Sequence, residues 1–179
     1  MENISKRTRF TLVAAALLLA ALMMLGGCAQ GSPEQDEPAQ GAPIEQADVQ
    51  QACDAVRQSF VDASVLNVDA QVDESTKTVY LTLETLSQDV PEACASAEAA
   101  CRQLSAAAVN AMLDRLSDEG DADARQRYEA LASDADDRAD GLGVLYETYA
   151  LSLRVDNEQG TLDVDGVREA GPEGSVNWQ

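Results

Sequence analysis

The sequence predicts an α+β fold: a single antiparallel sheet of about four strands with helices packed on one face, in the order αββ-α(α)ββ. Two observations predict it. Apolar and polar residues alternate with period two in two pairs of segments, within residues 66–83 and 149–164, which marks strands with one buried and one solvated side. Ahead of each pair runs a stretch whose apolar residues recur every three or four positions, the spacing of a helix that covers one side of a sheet.

The first helix is defined by Val49, Ala52, Cys53, Val56 and Phe60, with Gln, Asp and Arg57 on its other side. Leu66, Val68, Ala70 and Val72 then alternate with Asn67, Asp69, Gln71 and Asp73. Val79, Leu81 and Leu83 alternate with Tyr80, Thr82 and Glu84, so two strands are joined by a turn from Asp73 to Thr78. A long helix starts at Asp89, where Glu92 three positions on completes a capping-box pattern and Pro91 sits in the first turn. Its stripe is Cys94, Ala97, Cys101, Leu104, Ala108, Met112 and Leu116, and Gly120 ends it. So many Ala residues call for a close neighbour, supplied by a third helix over about 121–139 with Ala124, Tyr128, Leu131 and Ala135 on one face. Tyr149, Leu151, Leu153 and Val155 lead through a turn at 156–160 into Leu162 and Val164, with Gly160 at the left-handed position.

Charge narrows the function. The chain has 179 residues, with 32 Asp and Glu, 12 Lys and Arg, and no His. The first 27 residues carry Lys6, Arg7 and Arg9 against Glu2, so the rest carries about −22 of a net charge of −20. Nucleic acid is excluded as a partner, because phosphate binding relies on Lys and Arg releasing counterions. Beyond residue 27 only Lys77 and scattered Arg are present. Without His there is no Ser-His-Asp triad, no Cys-His pair and no His-ligated zinc. The aromatic residues of that part, Phe60, Tyr80, Tyr128, Tyr146, Tyr149 and Trp178, are too few for a stacking platform.

The amino-terminal segment carries an address. Lys6, Arg7 and Arg9 precede an uncharged apolar run from Phe10 to Leu25. At about 1.5 Å per residue the run is about 24 Å long, short of the roughly 30 Å hydrocarbon core, so it reads as the h-region of a signal peptide. It ends in Leu25-Gly26-Gly27-Cys28, which resembles the lipobox of bacterial lipoproteins. The resemblance implies cleavage between Gly27 and Cys28, a diacylglyceryl thioether on Cys28, and attachment to the membrane through that lipid. It further implies a place in the cell membrane or outer envelope, facing away from the cytoplasm. The expected organisation is a signal peptide at 1–27, a lipid-anchored disordered linker at 28–45, an α+β domain at 46–169 and a flexible tail at 170–179.

Three further Cys lie on predicted core faces. Within one helix Cys94 and Cys101 are about 10.5 Å apart along the axis, beyond the roughly 7 Å reach of a disulfide. Cys53 on the neighbouring helix is the expected partner of Cys101 or, less favourably by rise, of Cys94. Three buried thiols are the alternative. Asp136, Asp140, Gly141 and Glu147 fall on positions 1, 5, 6 and 12 of a calcium-loop spacing, but Arg138 takes position 3, where a ligand oxygen belongs. Acids also gather at Asp118, Glu119, Asp121 and Asp123 and at Asp134, Asp136, Asp137 and Asp140, where the later group opposes the dipole of the third helix. The expected function is a non-catalytic binding or scaffolding module without a cofactor, its partner a protein with a basic surface. A low-affinity divalent-cation binder, with calcium as the candidate ion, and a carboxylate-based enzyme are the alternatives.

Overall fold

The computed structural model describes residues 44–132 and 138–179. The expected signal peptide, Gly27, Cys28 and most of the linker lie outside them, as do Asp134, Ala135, Asp136 and Asp137. Within them the chain forms α1 (Gln46–Ser59), β1 (Val65–Asp73), β2 (Thr78–Thr85), α2 (Val90–Asp118), α3 (Ala122–Ala132), α4 (Leu145–Thr148), β3 (Ala150–Asn157), β4 (Asp163–Arg168) and β5 (Asn177–Trp178). The strands make one mixed sheet in sequential order, and the helices pack on one of its faces. None of the described helices is long and apolar enough to cross a membrane.

Local signals account for most boundaries. α1 opens with a reciprocal capping box between Glu45 and Asp48 and buries Val49, Ala52, Cys53 and Val56. α2 starts after Asp89, but the expected Asp89–Glu92 box is not formed: Ser87 Oγ accepts the Asp89 N–H and donates to the Glu92 carboxylate. Gly120, at φ +76°, ends α2. Asp121 Oδ1 then accepts the Ala124 N–H at 2.8 Å and opens α3.

The third helix is shorter than the 121–139 expected. Its described length ends at Ala132, and Ala139, Asp140 and Gly141 take left-handed φ values of 51°, 55° and 81°, which no right-handed helix accommodates. Ala124 is buried and Tyr128 packs on the core as expected, while the Leu131 side chain is outside the described structure.

Alternation holds along β2, β3 and β4, whose inward residues Val79, Leu81, Leu83, Leu151, Leu153, Val155 and Val164 are all buried. In β1 it breaks at the start. Register shifts between Val65 and Asn67, and this bulge turns Leu66 outward to 47 % exposure, where parity alone places it inside.

The sheet differs from an all-antiparallel one at its centre. Each hairpin is antiparallel, but β2 and β3 pair parallel over their whole length, Thr78 with Ala150 through Thr85 with Asn157. Length explains it. β2 has 8 residues, about 26 Å, whereas the 29 residues of α2 make about 43 Å, so a single helix carries the chain back past the start of β2. The chain comes in again through α3, residues 138–144 and α4, and β3 sets off beside β2 in the same direction.

Residues 170–179, expected as a flexible tail, are instead part of the fold. Gly166 pairs with Trp178 and Val167 with Asn177, and the Trp178 ring lies on the Cα of Gly166, where an added Cβ would meet it at 2.8 Å. The tail is held by Arg168, whose position in the inward series Leu162, Val164, Gly166, Arg168 buries it to 1 % exposure.

Candidate functional site

Cys53 and Cys101 are buried, Cys94 is half-buried, and all three are free thiols. Burial pushes Cys53 up to about 11 and Cys101 up to about 12, and it raises Cys94 as well. A thiolate is the reactive form, so at neutral pH these groups act as small apolar packing. Tyr146 of α4 is buried between the helices and the sheet, and its hydroxyl donates to the Cys101 carbonyl at 3.1 Å. Burial first, then the neighbouring thiols Cys101 and Cys53, raise that phenol well above its ordinary value.

Of the calcium-loop residues, Asp136 is outside the described structure. Glu147 is engaged by a cation the chain itself supplies: Arg138 Nε donates to its Oε1 at 2.6 Å. Asp140 Oδ2 accepts the Gly174 N–H at 3.0 Å. Arg138 and Glu147, positions 3 and 12 of the spacing, thus form an ion pair with each other. Among the described residues no group of three or more His, Cys, Asp or Glu is disposed to hold a metal ion. In the acidic turn after α2, Asp121 caps α3 and Glu119 pairs with Arg115 at 3.4 Å.

A groove of about 620 Å³ lies between the start of α1 and the end of α2, lined by Asp48, Gln51, Ala111, Asp114, Arg115 and Asp118. Arg115 grips Asp48 with two bonds, Nε to Oδ1 at 3.1 Å and Nη2 to Oδ2 at 2.9 Å, and reaches Glu45 at 3.2 Å. The Asp48 side chain is only 3 % exposed, so a bidentate guanidinium is the counterion its burial requires. The groove is therefore walled by acids around a cation already committed to them.

Among the described residues, nothing packs on the face of the sheet opposite the helices. Its residues lie in cross-strand rows fixed by the register: Gln71–Tyr80–Ser152–Val167, then Asp69–Thr82–Arg154–Asp165, then Asn67–Glu84–Asp156–Asp163. Arg154 sits in the middle row, 3.5 Å from Asp156 and 3.1 Å from Asp163. At the edge Arg57 of α1 reaches Asp69 at 3.7 Å.

Compared with protein-family models, curated proteins and solved structures, the chain matches none.

Three features of this geometry escape a reading of composition and spacing. The Asp48–Arg115 pair joins residues 67 apart, and its only local trace is the Glu45–Asp48 capping box. Arg168 lies on the inward parity of β4, but parity does not show that carbonyls of the returning tail receive it. At the turn between β1 and β2, Tyr149 donates to Glu74 at 2.9 Å and Lys77 lies 5.1 Å over its ring, ties that leave no mark in the pattern.

Proposed function

We propose that this chain is a lipid-anchored cell-envelope protein acting as a non-catalytic binding or scaffolding module, its partner a protein with a basic contact surface. The anchor is read from Leu25-Gly26-Gly27-Cys28 at the end of the uncharged run. The observation that carries the binding role is the direction of the charge. Arg57, Arg102, Arg115, Arg125, Arg138 and Arg154 are each ion-paired with acids of this chain, and Arg168 is buried. With those cations occupied, the excess acids dominate the field the domain presents, over a Debye length of about 8 Å at physiological salt.

Two measurements test the reading. Mass spectrometry of the native product from the membrane fraction is expected to find a chain beginning at an acylated Cys28; an intact initiator segment or an unmodified thiol there removes the anchor. Co-isolation of the partner is expected to fall as salt is raised, and a yield indifferent to salt removes the charge-based partner.

A further inference from the structure

We propose that the outer face of the sheet, centred on Thr82, Ser152 and Arg154, is the docking surface for that basic protein. This rests on the reading of the chain as a binding module and assigns the module its contact face.

Parallel strand pairs occur mostly where both faces of a sheet are covered. Among the described residues the central parallel pair, β2 with β3, is covered by helices on one side only. Its other side projects small polar groups, Thr82 and Ser152, flanked by Tyr80 at 45 % and Val167 at 43 % exposure in one row. Tyr80 and Val167 are two of the six large exposed apolar side chains of the described residues. An exposed Tyr on a flat polar ground is the form an interface anchor takes.

The charge on the face selects the occupant. Asp69, Glu84, Asp156, Asp163 and Asp165 surround a single outward cation, Arg154, which Asp156 and Asp163 hold. A second copy stacked face to face would set this acidic surface against itself, and anionic lipid or nucleic acid meets the same repulsion. A protein surface bearing Lys and Arg around an apolar contact fits. Four strands at about 4.8 Å spacing and about 26 Å length offer about 500 Å². That is the low end for specific interfaces, so the contact is transient and salt-sensitive.

The test places a photo-crosslinking residue in the full-length protein in its native membranes, at Thr82 or Ser152 on the face and at Ala106 or Asp114 on the exposed side of α2. Adducts are expected from Thr82 and Ser152, weakening with added salt, with the crosslinked partner peptide carrying Lys or Arg. Asp163→Lys combined with Asp165→Lys is expected to cut adduct yield about tenfold, while Asp114→Lys with Asp118→Lys leaves it unchanged. Adducts from the α2 positions alone overturn this face and leave the binding module standing. An adduct of twice the chain's mass overturns it in favour of self-association. No salt-dependent adduct from any position removes both this face and the function on which it rests.

Discussion

Arg168 is a cation stored inside the molecule. Its Nε donates to the Gly174 carbonyl at 2.7 Å, Nη1 to those of Tyr146 and Glu169 at 2.7 and 2.8 Å, and Nη2 to that of Gly171 at 2.8 Å. Burial lowers its pKa from the ordinary arginine value, yet four carbonyl dipoles keep the charge satisfied. Arg168→Met removes all four charge-assisted bonds that tie the returning tail to the sheet, so we expect a loss of about 2–4 kcal/mol in urea unfolding, with fast amide exchange confined to residues 169–178. A wild-type midpoint would show that these bonds contribute nothing.

The buried thiols act at the same scale through pH. Burial holds Cys53 and Cys101 above the value of about 9 for an exposed thiol, so the folded chain keeps protons that the unfolded chain gives up. Their contribution is complete below pH 9 and is lost as pH climbs through about 11 and 12. The loss runs at about 1.4 kcal/mol per pH unit for each thiol while only the unfolded form has ionised. Unfolding free energies measured from pH 8 to 11 should fall on that slope, and a Cys53→Ala, Cys101→Ala chain should show a shallower fall. Cys94, half-buried, is expected to alkylate first in the native state.

At the scale of elements, β5 is the strand with the least support of its own. It has two residues, and its position depends on Trp178 lying against a residue without a side chain. Gly166→Ala puts a Cβ within 2.8 Å of the ring and of Val176, so the ring must leave. Trp178 is the chain's only Trp, so its emission should shift to the red, with a cost of about 1–2 kcal/mol. An unshifted spectrum would place the ring elsewhere.

The elements that parity and helical spacing reveal are those whose information is local. Val79, Leu81 and Leu83, or Val49, Ala52 and Val56, declare their buried side within a single turn or strand. The bulge at Leu66, the parallel pairing of β2 with β3 and the return of the tail through Arg168 depend on how distant segments meet. Short-period patterns do not record such meetings. The candidate site divides the same way. The acids are visible in the sequence, but their rows across the sheet exist only once the register is set.

For the whole molecule the governing quantity is self-repulsion. With the net charge at −20 and most cations consumed by local pairs, screening should relieve more repulsion than attraction. We expect the melting temperature to rise as sodium chloride goes from about 10 to about 150 mM, a range in which the Debye length falls from about 30 to about 8 Å. Partner yield should fall over that range; a melting temperature that fell as well would mean that the ion pairs outweigh the repulsion.

The grip of Arg115 on Asp48 and Glu45 has a mechanical meaning. Any tension transmitted along the backbone into residue 44 arrives at the root of α1, where Ile44 is buried and a doubly bonded guanidinium clamps the first turn to α2. α1 and α2 run in opposite senses, so such a tug meets the clamp before the rest of the helix can peel away, and the clamp serves as strain relief for the first turn of α1.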